Sequence, residues 1–147
     1  MKAIKVMEEI NTFLEEQMRA ICAEENVDYD FHYHSNLITE NNNRSLRIYV
    51  NRRIIREEQD TLAVDVEDFG RVRYTSEGVY VLSFFMARSV PKSFSTTERI
   101  VQKLKNALRK ERFECLWVRN PTATPQGMEN NSYRYDLMFS YEFDEII

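Results

Sequence analysis

The sequence predicts an α+β fold: a mainly antiparallel β-sheet with two α-helices packed on one face. Three patterns point there. Residues 4–24 and 96–110 repeat apolar residues every three or four positions, the period of a helix with one buried side. Tyr133, Tyr135, Leu137, Phe139, Tyr141 and Phe143 alternate with Arg134, Asp136, Met138, Ser140 and Glu142, the period of a strand with one buried face. Between them, VYVLSFFMAR at 79–88 is apolar on both faces, as in a strand covered from both sides. A helix can cover one of those faces, and a neighbouring subunit the other.

In chain order, the first helix buries Ile10, Phe13, Leu14, Met18, Ile21 and Cys22, and Asn26 is its expected stop. Phe31, Tyr33, Leu37 and Ile38 could form a short strand or a wrapped segment, and residues 40–44 read as a polar turn. Leu46 to Val50 reads as a strand, Arg52 to Asp60 as a charged loop or exposed hairpin, and Leu62 to Val66 as a further strand. Thr75-Ser76-Glu77-Gly78 reads as a hairpin turn between Arg71–Tyr74 and Val79–Arg88, with Gly78 supplying positive φ. Pro91 ends the strand. Ser95-Thr96-Thr97-Glu98 reads as a capping box opening the second helix. That helix runs to about Lys110 on a stripe of Ile100, Val101, Leu104, Ala107 and Leu108, with basic residues at its C-terminal end. Phe113 to Val118 is expected as a strand, residues 120–131 as a long polar loop carrying two prolines and Gly127, and the alternating segment as the last strand.

The 147 residues form one expected domain, 1–147, long enough to bury a core without metal or disulfide staples. The two cysteines, Cys22 and Cys115, are too few for a disulfide framework and read as buried free thiols. The N-terminal stretch turns acidic within a few residues and has no apolar signal region. No apolar run approaches the ~20 residues that span a bilayer, so no membrane is expected and the reduced cytoplasm is the expected compartment. The net charge of −4 argues against a dedicated nucleic-acid binder, whose affinity comes from neutralising phosphates. Three glycines and three prolines leave little material for a phosphate loop.

Several constellations could carry chemistry. His32 and His34 would share one side of a strand, with Asp28, Asp30 or Glu40 nearby; a His-x-His pair can ligate zinc, but no third ligand stands at a persuasive spacing. Asp65, Glu67 and Asp68 could hold magnesium in a nuclease, yet Phe69 stands where such sites carry lysine. No nucleophile elbow or Walker loop occurs. The expected protein is therefore not an enzyme, with no catalytic residues, no metal and no cofactor. A basic surface of Arg99, Lys103, Lys105, Arg109, Lys110 and Arg112, near Phe113 and Trp117, offers an alternative: a small nucleic-acid-binding α+β module using the helix 96–112. A polar loop as long as 120–131 would suit partner docking.

The strings YTSEGVYVLSFFMARS at 74–89, the helix 96–110, CLWVRN at 115–120 and SYRYDLMFSYEFDEI at 132–146 resemble the tail-terminator, or tail-completion, proteins of tailed phages. The resemblance covers residues 70–146 in sequence and residues 1–65 by element order. It implies a virion protein of the tail and neck, assembled in the host cytoplasm as a ring, usually a hexamer, with a sheet extended across subunit boundaries. Such a ring caps the tail tube, ends tube polymerisation and forms the tail side of the head–tail joint. Its implied partners are other copies of itself, the tail tube protein and a head-completion protein, with DNA passing through the ring without specific binding. Arg71, Arg73, Arg88 and Arg119, expected at strand ends, are candidate assembly contacts.

Overall fold

The computed structural model describes residues 2–33, 47–64, 72–89, 91–129 and 131–146. It is an α+β fold of two helices and five strands: α1 (Lys2–Glu25), β1 (Asp28–Tyr33), β2 (Arg47–Val64), β3 (Val72–Ala87), α2 (Ser93–Lys110), β4 (Trp117–Glu129) and β5 (Ser132–Ile146). The sheet order is β1-β2-β3-β5-β4. Only the β1–β2 pair is parallel; the other three are antiparallel. β3 and β4 therefore run the same way with β5 between them, so β3, α2, β4 and β5 form a split βαβ unit.

Both helices lie on one face of the sheet. Asn11 of α1 accepts a hydrogen bond from the Tyr80 hydroxyl (3.0 Å). Phe94 of α2 packs against Tyr133 and Tyr135 of β5. Val6, Ile10, Leu14 and Met18 of α1 join Ile100, Val101, Leu104 and Leu108 of α2 in one core. From the sheet come Ile48 and Val50, then Tyr80, Leu82, Phe84 and Met86, then Tyr135, Leu137, Phe139, Tyr141 and Phe143. The helical stripes and the alternating strand are thus where the sequence puts them. The helices are antiparallel: Lys103 of α2 reaches Glu24 and Glu25 at the end of α1, while Phe113, after α2, meets Phe13 in the middle of α1.

Asn26 ends α1 as expected. It takes a left-handed φ of 56°, and the Val27 N–H donates to the Cys22 carbonyl (2.9 Å), a Schellman-type closure. The start of α2 differs from the expected capping box. The helix begins at Ser93, behind a left-handed Lys92 with no side-chain cap. Ser95 lies inside the helix, its hydroxyl donating back to the Lys92 carbonyl, and not at the N-cap position that a capping box requires.

Three expected loops are strand. Residues 52–60 continue β2 without a break, and residues 62–64 are its end. Thr75–Gly78 is not a turn: it lies inside β3, paired with β2 on one side and β5 on the other. Gly78 is needed there for space, because a Cβ would sit 2.3 Å from the Tyr141 ring. Residues 120–129 belong to β4, and β5 already begins at Ser132. β4 is an edge strand, which is why it accepts Pro121 and Pro125. Register shifts fall beside both prolines, between Arg119 and Thr122 and between Pro125 and Gly127. Conversely, residues 113–116 are irregular and β4 starts only at Trp117. Glu9 of α1 holds that irregular segment by accepting the N–H groups of Glu114 and Cys115. Residues 34–46, including the turn at 40–44, lie outside the described residues.

Candidate assembly surface

A period of two gives each strand two faces. The face of β3 toward the helices carries Tyr80, Leu82, Phe84 and Met86. The opposite face carries Glu77, Val79, Val81, Ser83 and Phe85, with no helix of the described residues over it. Val81 and Phe85 are nevertheless buried, outside the helix-covered core. The cover of Phe85 is polar. The register sets Phe85 beside Arg134 and Val81 beside Met138. The Arg134 guanidinium sits 5.8 Å from the Phe85 ring centre and is held by Asp136 (3.0 Å) and Glu129 (2.8 Å). These carboxylates, Asp136 foremost, raise its pKa further. A cation fixed by two anions over a ring shields an apolar patch while leaving a polar exterior.

Toward the other end, this bare face turns acidic. Glu77 stands directly opposite Glu142, and Thr75 opposite Asp144. The β2 register sets Glu58 opposite Glu77 and Asp60 opposite Thr75. Like charges directly opposed on a sheet are unfavourable, and two features soften them. Arg119 pairs with Glu142 (3.3 Å), and the Thr75 hydroxyl donates to Asp144 (2.9 Å). Trp117 lies opposite Glu142 on the same face and is 53% exposed. A depression of about 200 Å³ lies among Glu77, Val79, Arg119, Ser140 and Glu142.

The four arginines expected as contacts are not gathered. Arg119 lies on the bare face. Arg88 is exposed in the turn after β3, where its N–H donates to the Asn131 carbonyl. Arg73 is near the opposite end of β3, about 50 Å from Arg88 at the rise of a strand. Arg71 lies outside the described residues. Sequence reasoning missed the acidic rungs. The alternation of β5 already put Glu142 on the face away from the core, but the register that brings Glu77 to it is a long-range property.

The other constellations take different positions. His32 is in β1, while His34, Asp65, Glu67 and Asp68 lie outside the described residues. Among the described residues no group of three or more His, Cys, Asp or Glu is arranged to hold a metal ion. No helix among them is long and apolar enough to cross a membrane. Cys22 is buried and burial pushes its thiol up to about 12, helped by Asp28 and Glu25. Cys115 is half-buried, its thiol raised by a hydrogen bond with Glu9. On the basic helix, Arg99 is held by Glu25 and Lys103 by Glu24 and Glu25. Two of the six cations proposed for phosphate contact are therefore engaged in joining the helices, which weakens the nucleic-acid alternative.

No family model matches the sequence, and a search of curated proteins finds no match. Among solved structures, a chain of the virion of a native gene transfer agent particle is similar over 89% of this chain and 91% of its own, at 18% identity and a TM-score of 0.45. Another chain, whose name conveys no function, is similar over 93% and 94%, at 12% identity and a TM-score of 0.47. Likenesses at these values carry no argument about function.

Proposed function

We propose that this protein is a structural component of a phage-type virion: a ring that caps the tail tube, ends its polymerisation and forms the tail side of the head–tail joint. It acts by surface contact and has no catalytic turnover. The observation that carries the reading is where the phage-like strings fall. Residues 74–89 and 132–146 form the adjacent central strands β3 and β5, and residues 117–120 open β4 beside them. The resemblance therefore describes one continuous piece of sheet with a polar face uncovered by the helices. A polar exposed face on a domain with its own core suits a subunit that folds first and assembles afterwards.

One ring face binds the end of the tube, and the other offers no surface to a further tube subunit. The test is the mass of the protein in solution by light scattering, with and without tail tubes of the same particle, followed by imaging of the mixture. Rings seated on tube ends are expected. A protein that stays monomeric and ignores tubes would overturn the proposal.

A further inference from the structure

We infer that the depression beside α1, just past the end of α2, is a docking site for a basic segment of a partner protein, with one arginine or lysine side chain laid against the Phe113 ring. The inference concerns the helix layer, away from the bare sheet face, and stands independently of the ring reading. The depression measures about 320 Å³ and lies where Phe13 of α1 meets Phe113. Phe13 is buried and Phe113 half-buried, so the two rings, edge to face at 5.1 Å, form its base. Glu8, Glu16 and Glu111 stand exposed around that base, and Glu9 is half-buried among them. No lysine or arginine is among its lining residues. Arg109, Lys110 and Arg112 are near in the chain, yet among the described residues no ion pair joins a cation to Glu8, Glu16 or Glu111. The site is also built in advance. Glu9 accepts the N–H groups of Glu114 and Cys115, which fixes the segment carrying Phe113 against α1, and a prearranged surface loses less on binding.

The chemistry of the depression selects its occupant. An anion is repelled by four carboxylates, and a purely apolar side chain would strip water from them without replacing it. A cation on an apolar stem suits both parts, its stem on the rings and its charge over the aromatic face and among the acids. Arginine does so best, because its planar guanidinium stacks on rings and bonds carboxylates in pairs. The depression is open rather than enclosed, which leaves room for the backbone of a polypeptide alongside.

The test titrates the full chain, by calorimetry, with a capped peptide Gly-Lys-Gly-Arg-Gly-Lys-Gly and with the same peptide carrying citrulline, a neutral isostere, in place of arginine. The arginine peptide should bind at least about ten-fold more tightly, and more weakly as salt rises. Glu8→Gln/Glu111→Gln should lose at least about ten-fold in affinity. Phe113→Leu, which keeps apolar bulk and removes the aromatic face, should lose about three-fold or more. Glu98→Gln removes an exposed acid elsewhere on the helix layer and should change nothing. Circular dichroism checks each fold. Glu8, Glu111 and Glu98 are all exposed, so their variants decide the matter even if Phe113→Leu does not fold. Failure of both peptides to bind, equal binding of the two, or an affinity indifferent to Glu8→Gln/Glu111→Gln overturns the site. A loss in Glu98→Gln as large as in the double variant shows attraction to the acidic surface at large and overturns it too. Spermidine binding as tightly as the arginine peptide gives the depression to a small polycation and overturns the partner assignment. None of these readouts involves tail tubes, so failure here leaves the ring reading standing.

Discussion

Phe84 and Phe85 are neighbours in β3 with almost the same exposure, 0% and 7%, yet they are buried in different ways. Phe84 lies in the core under the helices, between Val50 of β2 and Tyr135 of β5. Phe85 points the other way and is shielded by an arginine that two carboxylates hold in place. Burial by packing excludes water permanently, whereas burial by a polar cover keeps a surface soluble and still leaves apolar area behind it. One strand thus serves a core on one side and a polar-covered surface on the other.

The sharpest way to break the comparison is to truncate each ring. Phe84→Ala opens a closed cavity and is expected to cost about 3–5 kcal/mol. Phe85→Ala leaves a hollow that water can enter, so its cost should stay near the transfer contribution alone, about 2 kcal/mol. Urea unfolding of both variants decides. Equal costs would mean that the polar cover packs as tightly as the helices.

A second variant probes the close approach of β3 to the Tyr141 ring of β5. Gly78→Ala forces a methyl group into the Tyr141 ring and should destabilise by about 1–3 kcal/mol, the range for overpacking. The same change in a Tyr141→Leu background should cost distinctly less, and a double-mutant cycle in denaturant measures the difference.

The smallest expected effect concerns the clamp between the helices. Hydrogen bonding from Lys103, with further help from Arg99, holds the Glu25 carboxyl below its usual range despite some burial. A carboxyl depressed in the folded state stabilises above its unfolded pKa and loses that contribution as pH falls through the folded value. Glu25→Gln should therefore lower stability slightly at neutral pH, by less than about 1 kcal/mol, because Lys103 and Arg99 are solvent-accessible and screened. The gap from the unaltered protein should close in acid. A gap independent of pH would show that the clamp acts through packing.

These contrasts explain what was legible in the sequence. The faces toward the helices were readable because a helix stripe or a strand alternation is a local pattern: Ile100, Val101, Leu104 and Leu108 in α2, Tyr135 to Phe143 in β5. Strands lying beyond the helices were not readable. Residues 52–60 carry charge at most positions, and so they resemble a loop. Pro121 and Pro125 resemble loop residues for another reason, since an edge strand has an outer side where a missing N–H costs nothing. Gly78 looked like a turn glycine, but the demand for it comes from Tyr141, 63 positions away in sequence, and no local pattern carries that. The candidate site suffered most. Individual charges such as Arg119 and Glu142 could be placed at a strand, but which charges meet depends on the register of strands distant in the chain.

The central place of β5 has a consequence for synthesis. β3 and β4 leave the ribosome with a gap between them, and residues 132–146 fill it by pairing with both. Until those residues emerge, β3 lacks a neighbour on one side and the apolar face of Tyr80, Leu82 and Phe84 has half its sheet missing. The sheet is completed from its middle only after β1 to β4 have been made, and such late non-local pairing is intrinsically slow. A nascent chain stopped before Ser132 would lack the strand that joins β3 to β4, and with it the centre of the sheet.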